Sequence, residues 1–497
     1  MSVFYSTNWD GEAAVASTTN DPTRLLWQKG FDVHAQTEDP FDAITGMSEE
    51  SPIRGNRELA QGNQIGNKIR FTVRGSFHGE GVRGSGNFET GDAFETPTLE
   101  DYTMTIDWVR NGWRTDLRAG NITGLTEDIE AGFNVALGEW HGREVMANPL
   151  WFKMLYGSQD SFVQTYAGGK SSEANLTASD TLSFDEIQLN GAMMGQGGGK
   201  PAMTKVVNGQ KFRKYVWMLP AEVKYSLETD PTYVQAIEQA AKRGENERMS
   251  GNVTEIQGHQ IREFMAYDHA DAGPIGSVPV PKALLGVAVT SGTATFNIKG
   301  GGNATYAADT RAKPFRLFPL YAYTYTPGVT QSWSAFEDGS EDLYVAIINT
   351  SGADKGKFGF YRYNSNDGNN LVVSERLAAS ASGIAATTVG NVVWNANKNT
   401  AAHPVGSLIV RTNASGVIMG KSLILGACSA YRGFGKYVGY RPTADEHEAG
   451  FIKDQYTWSI IGQEFRKDKL GRPRGFRVVT SAVNPRVFGV ELNPTLA

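Results

Sequence analysis

Lys68-Ile-Arg-Phe-Thr-Val-Arg74 and Tyr102-Thr-Met-Thr-Ile-Asp-Trp-Val-Arg110 bracket a stretch of Gly, Glu, Asn and Thr that runs from Ser76 to Asp101. Ile69, Phe71 and Val73 alternate with charged and polar neighbours, the period of a strand with one apolar face. Two such runs can pair into a long two-stranded arm with an irregular tip. An isolated hairpin is marginal in water, so an arm of this length is expected to pack on a neighbouring subunit.

Downstream the period changes to that of a helix. Leu125, Ile129, Phe133, Leu137 and Trp140 fall on one face, Thr126 is placed to cap, and Glu127, Asp128 and Glu130 crowd the first turn, where the helix dipole favours anions. Gly132, Gly138 and Gly142 lie inside this helix, so tertiary packing has to hold it. Asn148-Pro149 is expected to end or kink it before Leu150-Trp-Phe-Lys-Met-Leu155 resumes. Upstream, a short helix is expected at Asp21-Pro-Thr-Arg-Leu-Leu-Trp-Gln-Lys29, and the rest of the first sixty-five residues reads as an extended arm. Further on, Lys214-Tyr-Val-Trp-Met-Leu219 reads as a strand leading through Pro220 to an amphipathic helix from about Tyr233 to Arg243.

From about 284 to 417 the pattern is short strands separated by Gly, Asn, Asp and Ser turns, with no helix: Ala294 to Ile298, Leu320 to Thr326, Leu343 to Ile348, Lys357 to Tyr363, Leu371 to Val373, Val392 to Trp394 and Leu408 to Arg411. That spacing predicts an all-β domain, sandwich or barrel, inserted into a mixed body that resumes near Ser422.

Composition narrows the function classes. The formal charge of −6 argues against tight nucleic-acid binding by phosphate neutralisation, which calls for a basic excess. One cysteine, Cys428, excludes an intrachain disulfide framework, and its apolar surroundings, Ser422 to Cys428, suit a small buried residue better than a nucleophile. Met1 to Asp10 has neither a basic segment nor an apolar core, so no signal peptide is expected, and no apolar run approaches the roughly 20 residues of a membrane span.

The order of parts resembles the major capsid proteins of tailed bacteriophages with the HK97-like fold, and within them the podovirus capsid family related to coliphage N-four. Three sets of residues carry the resemblance. Gly66-Asn-Lys-Ile-Arg-Phe71 is followed by Gly79-Glu-Gly-Val-Arg-Gly84 and Asn87-Phe-Glu-Thr90. Trp108-Val-Arg-Asn-Gly112 runs into the long helix and Leu150-Trp-Phe-Lys-Met-Leu-Tyr-Gly157. Tyr215-Val-Trp-Met-Leu-Pro220, with Leu227 and the turn from Asn252 to Gly258, precedes Ser422-Leu-Ile-Leu-Gly-Ala-Cys-Ser-Ala430 and Gly433-Phe-Gly435. The likeness covers the chain outside 284–417, and the acidic cluster expected after the glycine turn is thin.

The resemblance implies an α+β, HK97-like capsid fold: an N-terminal arm (1–65), an extended β-hairpin loop (66–120), a spine helix and main α/β body (121–283), the inserted β domain (284–417) and a return to the body (418–497). It implies a structural protein of the virion and not an enzyme, assembled in the host cytoplasm. Its partners would be itself, in hexamers and pentamers of an icosahedral head, together with scaffolding, portal and decoration or cement proteins. The shell would enclose double-stranded DNA without sequence-specific binding, and no membrane. No catalytic, cofactor-binding or metal residue is expected. The insert is expected to project outward, since inside it would obstruct the DNA.

Candidate motifs for other chemistry are weak. Gly79-Glu-Gly-Val-Arg-Gly84 matches the dinucleotide fingerprint, yet Ser85 to Gly91 cannot open the helix that fingerprint needs. His34, His78, His141, His259, His269, His403 and His447 show no zinc-like spacing, and Asp445-Glu-His-Glu448 and Asp268-His-Ala-Asp271 read as polar turns. No G-x-S-x-G elbow is present, and no pair of carboxylates stands out. Tyr321, Tyr323 and Tyr325, with Tyr361 and Tyr363 nearby, would suit a ligand platform but read better as one face of a β core. Lys68, Arg70, Arg74 and Arg83 oppose Glu80, Glu89, Glu95 and Glu100 along the hairpin, charges suited to setting register between subunits. Two rival readings remain: a tail fibre or adhesin, favoured by the β-rich insert, and a secreted carbohydrate-active enzyme, favoured by the tryptophans.

Overall fold

A computed structural model describes residues 39–56, 68–74, 99–116, 135–156, 163–196, 199–207, 210–235, 255–256, 259–264, 267–269, 273–275, 282–285, 295–297, 344–366, 370–376, 379–380, 383–384, 402–413, 415–441, 446–447, 452–468 and 471–490, with single residues at 35, 132, 280, 288 and 400. The helix expected at Asp21–Lys29, the hairpin tip with Gly79–Gly84, most of the first half of the long helix, the tyrosine strand at Leu320–Thr326 and Val392–Trp394 lie outside the described residues.

Ile53–Asn56 forms a strand (β1), Lys68–Arg74 a second (β2) and Leu99–Thr105 a third (β3). β2 and β3 pair antiparallel from Lys68 opposite Thr105 to Arg74 opposite Leu99. The run read as one strand from Tyr102 to Arg110 divides at Ile106: beyond it, Asp107–Asp116 (β4) leaves the hairpin for a different sheet. Ile106 is buried between the two pairings, so the apolar alternation runs on unbroken while the partner changes.

The chain is helical from 135 to 156 without a break. Asn148-Pro149 neither ends nor interrupts this helix. Ahead of the proline, His141–Ala147 adopts the wider π register, with the Asn148 N–H on the Arg143 carbonyl five residues back, and Asn148–Tyr156 (α1) continues as α-helix. Pro149 has no N–H for the Val145 carbonyl, and Gln463 Nε2 donates to that oxygen at 3.0 Å.

Gln164–Tyr166 is a short strand (β5), and Phe184–Gln196 a helix (α2). Ser183 caps α2, its hydroxyl accepting from the Glu186 N–H at 3.3 Å, with Asp185 and Glu186 in the first turn. Val216–Pro220 (β6) is buried at every position, and the next helix, Ala221–Glu228 (α3), starts at once, twelve residues before the expected one. Pro220 fixes an extended φ of −68° at the cap, and Val223 and Leu227, four apart, fall on the sheet. Residues 231–235 are helical too, and the remainder of the expected Tyr233–Arg243 helix lies outside the described residues.

The other strands are His259–Phe264 (β7), Tyr344–Ile348 (β8), Phe358–Asn366 (β9), Asn370–Arg376 (β10), Leu408–Thr412 (β11), Ile418–Leu425 (β12), Ala430–Arg441 (β13), Ile452–Phe465 (β14) and Phe476–Val483 (β15). They form two main sheets. One is ordered β1, β13, β14, with β4 on the far side of β14. The other runs β7, β6, β12, β11, β8, β9, β10, with β15 and then β5 on the other flank of β12.

The larger sheet is covered on both faces, which explains why its strands are continuous apolar runs. Alternation sends Trp217, Leu219, Ile424 and Val479 to a core shared with α2 and α3, through Ile187, Met194, Val223 and Leu227. Val216, Met218, Leu423, Leu425 and Val478 face a second core built from Leu150, Trp151, Met154 and Leu155 of α1 and from Phe41, Ile44 and Ile53 of the N-terminal segment. Full burial of side chains such as Trp151 and Phe41, both 0% exposed, contributes about 1.5 to 3 kcal/mol each. The segment expected as a separate β insert supplies β8 to β11 to this same sheet, and Ala346, Ile348, Phe358, Phe360, Leu408 and Val410 belong to the first of these cores.

Candidate functional site

The base of the hairpin sits on the smaller sheet. Ile69, Phe71, Met104 and Ile106 pack with Tyr431 of β13, the Phe71 and Tyr431 rings lying 4.6 Å apart and Tyr102 stacking on Tyr431 at 5.4 Å. Glycine makes the seat possible: a Cβ at Gly433 would stand 2.5 Å from Ile69 Cδ1, and one at Gly462 would stand 2.4 Å from the Thr105 carbonyl oxygen. The first obstacle is the flexible end of a side chain. The second is backbone and cannot swing away. Gly462→Ala is therefore expected to lift β3 from β14 and destabilise the fold by about 1 to 3 kcal/mol. Denaturant titration reads the loss, and faster tryptic cleavage near Arg70 and Arg110 reports that the hairpin has come loose.

The opposite face of the hairpin is charged. Lys68, Arg70, Asp101 and Thr103 are exposed, Arg70 forms an ion pair with Asp101, and the Thr72 hydroxyl donates to Asp101 Oδ1 at 2.7 Å. Hydrogen bonds from Arg70 and Thr72 hold the Asp101 carboxyl below its ordinary range, and the Asp101 bond raises Arg70. Solvent screens such a pair, so its use is orientation more than stability. Next to it, β4 pairs with β14 along one edge, its other edge meets no described strand, and Trp108, Arg110 and Asn111 are exposed along it. An apolar-backed hairpin with a charged outer face, beside a strand edge that no described strand covers, is a surface suited to a second protein chain.

Behind the seat lies a buried ionic joint. Arg432 of β13 reaches Asp39 Oδ2 at 2.6 Å, with side-chain exposures of 0% and 1%, and donates to the Met146 carbonyl of the π segment at 2.9 Å. Asp39 Oδ1 also accepts the Phe41 N–H at 3.1 Å. Burial pushes the Asp39 carboxyl up while Arg432 pulls it back. His141 is buried close by, and burial together with the Arg432 charge lowers it to about 4. The joint ties the N-terminal segment, the long helix and the smaller sheet at one point, and no sequence spacing announced it.

The histidines are dispersed. His141, His259 and His403 are buried in different parts of the core, His269 and His447 lie in separate short strands, and His34 and His78 are outside the described residues. Among the described residues no three His, Cys, Asp or Glu side chains group as metal ligands. Glu446–His447, expected in a polar turn, is a strand pairing with Lys453 and Ile452 of β14. Tyr361 is buried with its hydroxyl 2.7 Å from His403 Nε2, while His403 Nδ1 is 2.8 Å from Asn349 Oδ1. This network does not form a nucleophile and base: the Ser407 hydroxyl, on Asn349 Oδ1 at 3.3 Å, donates to the Pro404 carbonyl at 2.7 Å. Cys428 is buried, burial raises its thiol, and its Sγ donates to the Glu49 carbonyl at 3.1 Å, none of which suits a nucleophile. No described helix is long and apolar enough to cross a membrane.

No protein-family model and no curated protein matches the sequence. Solved structures do match. The head structure of Helicobacter pylori bacteriophage KHP40 superposes with a TM-score of 0.50 at 11% identity, over 89% of this chain and 91% of that one. The capsid of Ralstonia phage GP4 gives a TM-score of 0.48 at 13% identity, over 89% and 91%. The cyanophage Pam1 capsid gives 0.49 at 9%, over 90% and 93%. The likeness to the KHP40 head structure runs nearly end to end and shows the fold: this chain has the fold of a phage head protein, in keeping with the HK97-like architecture expected from its sequence.

Proposed function

We propose that this chain is the major capsid protein of a tailed bacteriophage, of the podovirus family related to coliphage N-four, and that it assembles through hexamers and pentamers into an icosahedral head enclosing double-stranded DNA. The observation that carries the reading is the near end-to-end fold likeness to the head structure of Helicobacter pylori bacteriophage KHP40. The seated hairpin with its charged outer face, and the edge of β4 that pairs with no described strand, support it, because a shell subunit needs elements that reach its neighbours. Repeated symmetrically, modest contacts of this kind add up to a stable lattice. Scaffolding, portal and decoration proteins are the accessory partners of this reading, with assembly in the host cytoplasm and the virion as its destination. Negative-stain electron microscopy of the purified chain, alone and with a co-expressed scaffolding protein, is expected to show closed shells or six- and five-membered rings. Rod-shaped trimers, or monomers under every condition, would overturn the reading.

A further inference from the structure

At the β5 edge of the larger sheet, the strand, the loop from Gly169 to Glu173 and α2 enclose a cavity of about 530 Å³. Charge is the unusual feature of its wall. Lys170, Arg411, Lys421 and Arg477 line it against two carboxylates, Glu173 and Glu186.

Both carboxylates are already in use. Glu173 accepts Lys421 Nζ at 2.5 Å on one oxygen and Arg411 Nη2 at 2.8 Å on the other. Burial pushes Glu173 up, but Lys421 and Arg411 outweigh it and hold the carboxyl at about 2, so it stays charged. Glu186 accepts the Gly168 N–H at 2.9 Å and Asn190 Nδ2 at 3.1 Å. Lys170 faces Asp180 at 3.7 Å.

Arg477 is left over. It is 8% exposed, and among the described residues it has no carboxylate partner and no acceptor for its buried Nε. Arg411 also keeps its Nε without an acceptor among the described residues. A guanidinium largely withdrawn from water without counter-charge is costly to bury, and a bound anion would relieve that cost. Guanidinium donors in a partly closed, low-dielectric space suit the planar or tetrahedral oxygens of carboxylate and phosphate.

We infer that this cavity is an oxyanion site, taking a phosphate- or carboxylate-bearing group on Arg477 with Arg411 and Lys421 at its flank. The inference does not depend on shell formation. It is tested on the purified full chain by following thermal unfolding during titration with inorganic phosphate and, separately, with glutarate, each against sodium chloride at matched ionic strength. A ligand of the folded state raises the melting temperature in a saturable way. Phosphate or glutarate is expected to do so where chloride does not, and the one with the lower half-saturation identifies the source as phosphate or as an acidic side chain. Arg477→Met is expected to melt no lower than the parent without ligand, since it removes an uncompensated charge, and to need roughly tenfold more ligand. No shift beyond chloride with either probe would overturn the site, as would an Arg477→Met chain that responds like the parent.

Discussion

Arg432→Met is expected to destabilise the fold by about 3 to 5 kcal/mol. Methionine keeps most of the apolar stem of the arginine, so the void left by the guanidinium is the smaller part of the loss. The larger part comes from what stays behind. Asp39, 1% exposed at its side chain, would lose the cation 2.6 Å away, and the Met146 carbonyl would lose its donor at 2.9 Å. Burial already pushes the Asp39 carboxyl up, and without Arg432 nothing opposes that push, so the residue would take up a proton to stay inside. The N-terminal segment, carrying Phe41, Ile44 and Ile53 into the core with Trp151, would be held less firmly. Urea unfolding of the parent, Arg432→Met, Asp39→Leu and the double variant measures the coupling. The double variant is expected to recover most of the loss, because no buried charge then lacks a partner. A single variant within about 1 kcal/mol of the parent would show that the joint is not a stabilising contact.

How much of this was legible in the sequence depends on the range of the interaction. The hairpin strands were readable because alternation is local: Ile69 and Phe71 face one way and Arg70 the other, whatever they pack against. The switch at Ile106 was not, since nothing in a continuous alternating run marks where one partner strand gives way to another. Pro149 looked like a break because the compensation comes from Gln463, more than three hundred residues away in the chain. The helix α2 was missed, although Ser183 three residues before Glu186 forms the first half of a capping box, because the glycine and asparagine within it mask its period. Residues 284–417 read as a distinct β domain because their short strands and turns, with no helix between them, differ from the mixed pattern of the flanks. Sheet membership is set by pairing: β8 and β11, which share Ile347 opposite Ile409, join the body through Thr412 opposite Ile418. The Asp39–Arg432 joint and the cationic cavity are wholly tertiary, built from residues whose spacing along the chain carries no motif.

The second large effect is on the acid side of neutrality. His141 is 1% exposed in the π segment, and burial, reinforced by the Arg432 charge, lowers it from an ordinary 6.5 to about 4. The folded state therefore holds this imidazole neutral where the unfolded chain would protonate it. A histidine depressed on folding contributes stability that is complete above the unfolded value and is lost as pH falls towards the folded one. The window is thus from about 6.5 down to about 4, and the shift corresponds to about 3 kcal/mol lost by its lower end. Glu173, with a folded value of about 2 against an ordinary 4.5, acts lower: its contribution is present above 4.5 and disappears only on the way to 2. The two windows barely overlap, and His259, which burial also lowers, is common to parent and variant, so the difference between their unfolding midpoints at pH 7, 5.5 and 4 isolates His141. His141→Gln, neutral throughout, is expected to show a stability profile flatter by about 3 kcal/mol over that range, whatever its stability at pH 7. Parallel losses in parent and variant would mean that His141 is not protonated on unfolding in this window, and that acid acts on the fold elsewhere.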